Sequence, residues 1–554
     1  MDMKIEFHNC EALEGKMKRS FLELRENNII NRILRKDYSI WKDRNEEITT
    51  RLGWLESPIR MKPLLEEYAQ EAEAIRKAGI KQIVLLGMGG SSLAPEAISK
   101  ILPQKQGYPR FIALDSTCPS AISQVAEMTK NKTTLFLVSS KSGTTAETLS
   151  FFNYFYRQQT EIHGSKAGRY FMAITDPGTL LEKLASELGF RRTIPGFPDV
   201  GGRFSALSPF GLFPAALMGI DVRKLLIPAE ESITRLKKEP YEHPGVKIGA
   251  SLGALARLGK DKLTLILPAA LKSFGRWLEQ LIAESTGKEG QSLLPVIESL
   301  PQSEDCYSQD RAFVFYGLGS DQNFFGQEKL EKFIKLKFPL IYFSFSPEDI
   351  SEHFFSWELA IALAGYFMKI NPFNQPDVEL TKKKTRELLS KSQKEPSSKT
   401  LLDLENDNFQ QEFKSFLLKK DHTAEYIALL SFLPPDDSLE VALDNLARQL
   451  TEKTHLPATW NYGPAYLHST GQLHKGDAGK GKFIGLVFQE EKEVTIPSLL
   501  GSPAIASSFN LLFEAQALAD FEALREKGRA VFSIRIKDRP VEKIFRLSEL
   551  VRNS

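Results

Sequence analysis

What most constrains this chain is a repeated passage from a short apolar run, through a glycine- or hydroxyl-rich turn, into a helical stretch. Apolar runs at 82–87, 111–114, 134–139 and 170–175 each end at Gly, Ser, Thr or Pro and give way to a helical pattern. Such runs leave no polar face for water, so they predict parallel strands covered on both sides by helices. The pattern restarts at 263–267, 312–316, 340–345 and 426–432. It returns at 483–488 and 531–536, with helix near 513–524 between them. Residues 1–80 lack strand alternation and read as helical. The charged stretch 235–246, with Pro240 and Pro244, reads as a linker. The predicted class is α/β: an N-terminal helical extension (1–80), then two tandem doubly wound parallel-sheet domains at 81–234 and 247–554. The second is larger and carries C-terminal additions.

Composition excludes several function classes. Across 554 residues, 72 Lys and Arg stand against 70 Asp and Glu, a net charge of +2. No basic footprint for nucleic acid follows. The start, Met1-Asp2-Met3-Lys4, lacks a signal-peptide pattern. The long uncharged stretches at 204–220 and 494–513 are broken by Pro, Gly and Ser, which argues against membrane spans. Cys10, Cys118 and Cys306 form neither a zinc pattern nor a disulfide framework. A soluble, reduced, cytoplasmic protein is expected.

Three segments can do chemistry. Gly87-Met88-Gly89-Gly90-Ser91-Ser92 joins a buried strand to a helix, where glycines permit close backbone approach and helix amides favour an anion. No Gly-Lys-Ser/Thr follows, so it is not a P-loop, and Ser92 replaces the third glycine of a dinucleotide fingerprint. A plain turn with Ser91 or Ser92 as cap reads equally well. Ser139-Ser140-Lys141-Ser142-Gly143-Thr144-Thr145 puts five hydroxyls, one Gly and one Lys into seven residues. That donor set suits a phosphate monoester; the plainer alternative is a Thr144–Glu147 capping box. In 274–288, apolar residues at helical spacing run toward a Gly287 stop. Gln280 and Glu284 are four apart on one face. A carboxylate in a last helical turn opposes the helix dipole, which suggests retention for function. The alternative is a surface Glu284 neutralised by Lys288. Ser208 and Pro209 read as N-cap and first helical residue of an apolar helix.

Together the chain resembles the glucose-6-phosphate isomerases. The matching pieces are Gly87–Ser91, Ser140–Thr145, Gly201-Gly202-Arg203-Phe204-Ser205, Gln280-x-x-x-Glu284-Ser285-Thr286-Gly287-Lys288, Asn371-Pro372-Phe373-Asn374-Gln375-Pro376-x-Val378-Glu379-x-x-Lys382, and Leu467-His468-Ser469-Thr470-Gly471-Gln472. The likeness is greatest to the isomerase part of transaldolase–isomerase fusions, with the transaldolase half expected to be absent. The resemblance implies sugar-isomerase (SIS) domains and an interconversion of glucose 6-phosphate and fructose 6-phosphate through a cis-enediol. It assigns substrate and phosphate binding to Gly90, Ser91, Ser140, Lys141, Ser142, Thr145, Gln280 and Gln375. It makes Glu284 the base, places Arg203 beside the reacting oxygens, and gives Lys382 and His468 to ring opening. It implies a homodimer in which the histidine comes from the neighbouring subunit. A sugar phosphate is the only partner implied, with no nucleic acid, membrane, metal or other cofactor.

The residue types suit that chemistry. One carboxylate can take and return a proton between C2 and C1. A fixed guanidinium stabilises the oxyanion of the enediol. A histidine can protonate the ring oxygen. Two features depart from the family. Asn374 stands where the family usually has Asp. The order Glu284, Lys382, His468 places the histidine last, whereas the family has it between the other two. His353, in Glu352-His353-Phe354-Phe355, holds the familiar position, but His468 has the better local match. A non-catalytic sugar-phosphate sensor is the alternative function, although no partner-binding module accompanies the cradle. An aminosugar synthase half would need a Cys after Met1, and position 2 is Asp2.

Overall fold

The computed structural model describes residues 3–9, 11–298, 301–318, 326–335, 337–391, 401–419, 424–499, 501–503 and 505–553. In chain order the strands are β1 (Lys4–His8), β2 (Gln82–Gly87), β3 (Arg110–Leu114), β4 (Thr134–Ser139), β5 (Phe171–Thr175), β6 (Arg192–Pro195), β7 (Lys262–Ile266), β8 (Leu294–Glu298), β9 (Arg311–Leu318), β10 (Leu340–Phe345), β11 (Leu402–Asp403), β12 (Tyr426–Phe432), β13 (Ala458–Tyr462), β14 (Gly481–Phe488) and β15 (Ala530–Ile536).

They form three five-stranded sheets. The first has the order β3-β2-β4-β5-β6 and is parallel throughout. The second has the order β1-β10-β9-β7-β8, and the third β11-β15-β14-β12-β13. Read from the other edge and with the edge strands β1 and β11 set aside, each repeats the first sheet's arrangement: β7 is flanked by β8 and β9 with β10 beyond, and β12 by β13 and β14 with β15 beyond, as β2 is by β3 and β4 with β5 beyond. The common order explains why the α/β reading holds along the chain. It also refines the domain reading, because 247–554 supplies strands to two sheets where one larger unit was expected.

Two local expectations need correction. The 1–80 segment is not helical throughout: β1 lies antiparallel on β10 and closes the edge of the second sheet. The expected linker is folded. Helix Val222–Lys238 runs into its first half and helix Pro244–Ala256 begins in its second. His243 is 1% exposed there, its Nδ1 accepting from Gly245 N at 3.0 Å, and burial pulls its imidazole down to about 3. The basic segment 382–399 is helical to Lys391, while 392–400 lie outside the described residues.

The helix predicted after Ser208 spans Pro209–Leu217. Ser208 Oγ accepts from Phe210 N and proline stands in the first turn. All nine residues of the helix are buried, which explains its uninterrupted apolar sequence. Helix Lys272–Thr286 packs against helices Leu93–Ile101 and Ile350–Met368. It thereby lies between the first two sheets with its C-terminal turn at their junction. Among the described residues, no helix is long and apolar enough to cross a membrane.

Candidate active site

The strand ends of the first sheet set the site's floor. After β2 the chain turns at Gly89, whose φ is +55°. A Cβ there would lie 2.9 Å from Gln280 Nε2 and 3.1 Å from both Cβ and the carbonyl oxygen of His468. A Cβ on Gly90 would lie 2.0 Å from the Gly202 carbonyl. Both glycines are therefore required by close approach, as Gly89 is by its dihedral as well. Through this turn the Arg203 loop, helix Lys272–Thr286 and the His468 segment come within van der Waals distance of one another.

Glu284 is 4% exposed and is not the surface carboxylate of the plainer reading. Arg203 Nη1 donates to its Oε1 at 3.0 Å and Gln280 Nε2 to its Oε2 at 3.1 Å. Arg203 is 3% exposed and also donates to Ser285 Oγ at 2.7 Å, to the Pro372 carbonyl at 2.6 Å and to the Asn374 carbonyl at 3.0 Å. A buried guanidinium with all these partners is held rigidly, and it offsets the unfavourable placement of Glu284 at a helix C-terminus. Lys288 does not neutralise Glu284 by contact. Its ammonium donates to the Asn374 carbonyl, and to Asn374 Oδ1 at 3.2 Å. Burial, with repulsion from Arg203, pulls Lys288 well below the usual lysine range. Asn374 thus joins both cations, and Gln375 beside it is exposed.

His468 Nε2 meets Glu147 Oε1 at 3.0 Å, and the His468 carbonyl accepts from Gln280 Nε2 at 2.7 Å. Gln516 Nε2 donates to the same Glu147 oxygen at 2.6 Å, and Thr117 Oγ1 holds Gln516 Oε1 at 2.8 Å. Burial alone would raise the Glu147 carboxyl. The charge of His468, its hydrogen bond and the field of Lys382 outweigh that and hold Glu147 below the usual carboxylate range. Lys382 is half-buried and near enough to act on Glu147 electrostatically. Its helix is tied down next door, where Thr381 Oγ1 donates to the fully buried Asp520 at 3.2 Å. Tyr466, two residues before His468, donates to Asp520 Oδ2 at 2.7 Å, and Lys475 pairs with Asp520 at 2.6 Å. One buried carboxylate therefore anchors the segments of both His468 and Lys382.

His353 is excluded from this constellation. It is fully buried among Phe274, Phe343 and Phe345, and burial pulls it down to about 3. Position in the chain favoured it; the third sheet's placement favours His468.

The hydroxyl cluster forms a loop from the end of β4 to helix Ala146–His163. Ser140 Oγ and Thr145 Oγ1 lie 2.9 Å apart, and Ser142 Oγ accepts from Thr144 N at 3.3 Å. The alternative reading, a Thr144–Glu147 capping box, does not hold. Thr145, not Thr144, is the N-cap residue, it makes no side-chain cap bond, and Glu147 is turned to His468. The helix's first amides therefore stay open to an anion. Lys141 faces elsewhere: its ammonium pairs with Asp176 and donates to the Phe197 carbonyl at 3.1 Å. Ser91 is 9% exposed, and its carbonyl accepts from Ser139 Oγ at 3.2 Å.

A family model described as Phosphoglucose isomerase matches residues 39–294. A curated "Glucose-6-phosphate isomerase" of Carboxydothermus hydrogenoformans is 30% identical over 403 residues, covering 61% of this chain and 85% of that protein. One of Mycoplasma capricolum is 30% identical over 389 residues, covering 61% and 90%. This chain belongs to the phosphoglucose isomerase family. A solved structure titled as a glucose-6-phosphate isomerase from Chlamydia trachomatis aligns with TM-score 0.57 at 17% identity, over 73% of this chain and 89% of that one. That likeness speaks for the fold alone.

Within the family reading, Glu147 is the residue that sequence reasoning missed. In the sequence it reads only as a capping partner. The one signal available was its place three residues after a helix-starting hydroxyl, and that signal fits a cap and a site residue equally. Gly287 was read as a helix stop. It does end the helix, yet its φ of −80° is open to any residue. The constraint is spatial, since a Cβ would lie 2.3 Å from Leu473 Cα. The glycine lets the His468 segment close onto the Glu284 helix.

Proposed function

We propose that this chain interconverts glucose 6-phosphate and fructose 6-phosphate. The observation that carries the reading is the buried Glu284, held by Arg203 and Gln280 within reach of a His468–Glu147 pair. The phosphate sits on the Ser140, Ser142 and Thr145 hydroxyls and the first amides of helix Ala146–His163, with Gly90 and Ser91 flanking it. Lys141 joins the cradle by exchanging Asp176 for phosphate. His468, hydrogen-bonded to Glu147, protonates the ring oxygen as its bond to C1 breaks, the C1 hydroxyl gives its proton to water, and Lys382 assists as the ring opens. Glu284 then takes the C2 proton and returns it to C1.

The two bonds to Glu284 are unequal. The Arg203 bond is charge-assisted, whereas the Gln280 bond joins a neutral amide to Oε2. Oε2 is therefore the oxygen freed for the substrate proton, with Gln280 turning to a substrate hydroxyl. Arg203 remains at the oxyanion of the cis-enediol. Gln375, exposed beside Asn374, closes over the sugar. Substrate and product are isomers, so the reaction needs no redox group, and the proposed steps invoke no metal.

His468 reaches Glu147 from the same chain, which departs from the resemblance, where a neighbouring subunit supplies the histidine. On this reading one chain carries a complete site. The test is a coupled assay of purified protein on fructose 6-phosphate, with and without EDTA. Formation of glucose 6-phosphate in both is expected; no turnover would contradict the enzyme reading, and loss with EDTA the metal-free mechanism.

A further inference from the structure

A cavity of about 250 Å³ lies where the three sheets meet, on the far side of the Gly89 turn from the hydroxyl cradle. Its walls come from the end of β3, from helix Lys272–Thr286 and from β13 with the loop that follows it. Junctions between packed units are where small ligands bind preferentially.

The charges in its walls do not balance. Five carboxyl groups line it: Glu96, Asp115, Glu279, Glu440 and Asp444. The two cations, Lys272 and Arg276, both converge on Glu440, with Lys272 also 3.9 Å from Asp444, and Arg276 acts only through its longer-range field on Glu96, Asp115 and Glu279. Glu96, Asp115 and Glu279 have no ion pair within 4 Å among the described residues. Burial, with repulsion from Glu96, pushes Asp115 up to about 6, and burial pushes Glu279 up to about 8. Glu279, 3% exposed, keeps one oxygen on Asn461 Nδ2 at 2.7 Å.

Two further features of the cavity are independent of the carboxylates. The Thr459 hydroxyl, on a residue 6% exposed, lines the cavity without a side-chain hydrogen bond among the described residues. Trp460 and Tyr462 supply aromatic faces, and Trp460 already carries the Lys272 ammonium 5.4 Å from its ring centre. Carboxylates, a free hydroxyl and aromatic faces are the lining that an ammonium group takes.

We propose that this cavity binds a small organic ammonium ligand, held by Asp115 and Glu279 with Thr459 as a neutral partner. The site neither overlaps the sugar-phosphate cradle nor depends on the isomerase reading. It adjoins that site through Gly89 and through Ser469, next to His468.

Titration calorimetry with 1,4-diaminobutane, and with 1,4-butanediol as its uncharged counterpart, tests this. Saturable one-to-one uptake of the diamine is expected, with none of the diol. Asp115→Asn with Glu279→Gln should weaken the diamine by about ten-fold or more. Glu127→Gln with Glu161→Gln, which removes as many exposed charges elsewhere, should change nothing. If the Asp115/Glu279 pair fails to fold, Asp115→Asn alone carries the comparison. Equal uptake of the diol, absence of saturation, or equal weakening by the two double variants would each overturn the proposal.

Discussion

The imidazole Nε2 of His468 stands 3.0 Å from Oε1 of Glu147, joining residues 321 positions apart in one chain. The contact brings the third sheet's loop onto the first sheet's helix. It also holds the Glu147 carboxyl below its ordinary value, because the charge and hydrogen bond of His468 favour the carboxylate.

Glu147→Gln should therefore do two things. Turnover of the cyclic sugar should fall by about 10²-fold, the lower end of general acid–base contributions, with a smaller fall on open-chain substrate. The folded carboxyl lies below its ordinary value, so its stabilisation is complete above that value of 4.5 and is lost as pH falls through the lower, folded one. Urea unfolding of both proteins checks the sign. The gap between wild type and variant should narrow below pH 4.5; a gap that widens on acidification would contradict it.

Ser140→Ala with Thr145→Ala should weaken substrate and 6-phosphogluconate together. Each charge-assisted hydrogen bond lost is worth about 1.5–3 kcal/mol. The two hydroxyls already bond to each other, so the double variant leaves no orphaned partner inside the free protein. Inhibitor affinity measured by calorimetry decides; unchanged affinity would return both residues to a local structural role.

The two histidine candidates should separate by readout. His353→Ala removes a ring from an aromatic core and should cost about 2–5 kcal/mol of stability while the folded fraction keeps its turnover number. His468→Ala should slow the closed-ring substrate more than the open chain in the folded fraction, and should also cost stability above pH 4.5, because it leaves the buried Glu147 carboxylate without its partner. A crippled but fully folded His353→Ala would reverse the assignment.

Specific activity should not fall on dilution, since one chain supplies both Glu284 and His468. Assays across a thousand-fold protein dilution, paired with light scattering, test this. Activity lost in step with dissociation would mean that the partner's histidine completes the site.

Much of the fold was legible because buried parallel strands are written as continuous apolar runs. The strands that reading missed, β1, β6, β8, β11 and β13, are all edge strands. Edges are paired on one side only and tolerate charge or proline, as Pro295 in β8 shows. The site divides in the same way. Glu284 was legible because Gln280 and Glu284 share a helix, so their spacing is a local fact. Glu147 and Asp520 act on residues far away in sequence. No local pattern could announce a carboxylate whose partners lie on another sheet.

The central claim is that Glu284 moves the C2 proton. The direct measurement is release of deuterium into water from glucose 6-phosphate labelled at C2, comparing wild type with Glu284→Gln. The amide keeps the side chain's shape and its place beside Arg203 but cannot accept a proton, so sugar phosphate should still bind. Label release should fall by about 10²–10⁴-fold or more. Release from Glu284→Gln at the wild-type rate would show that another group is the base.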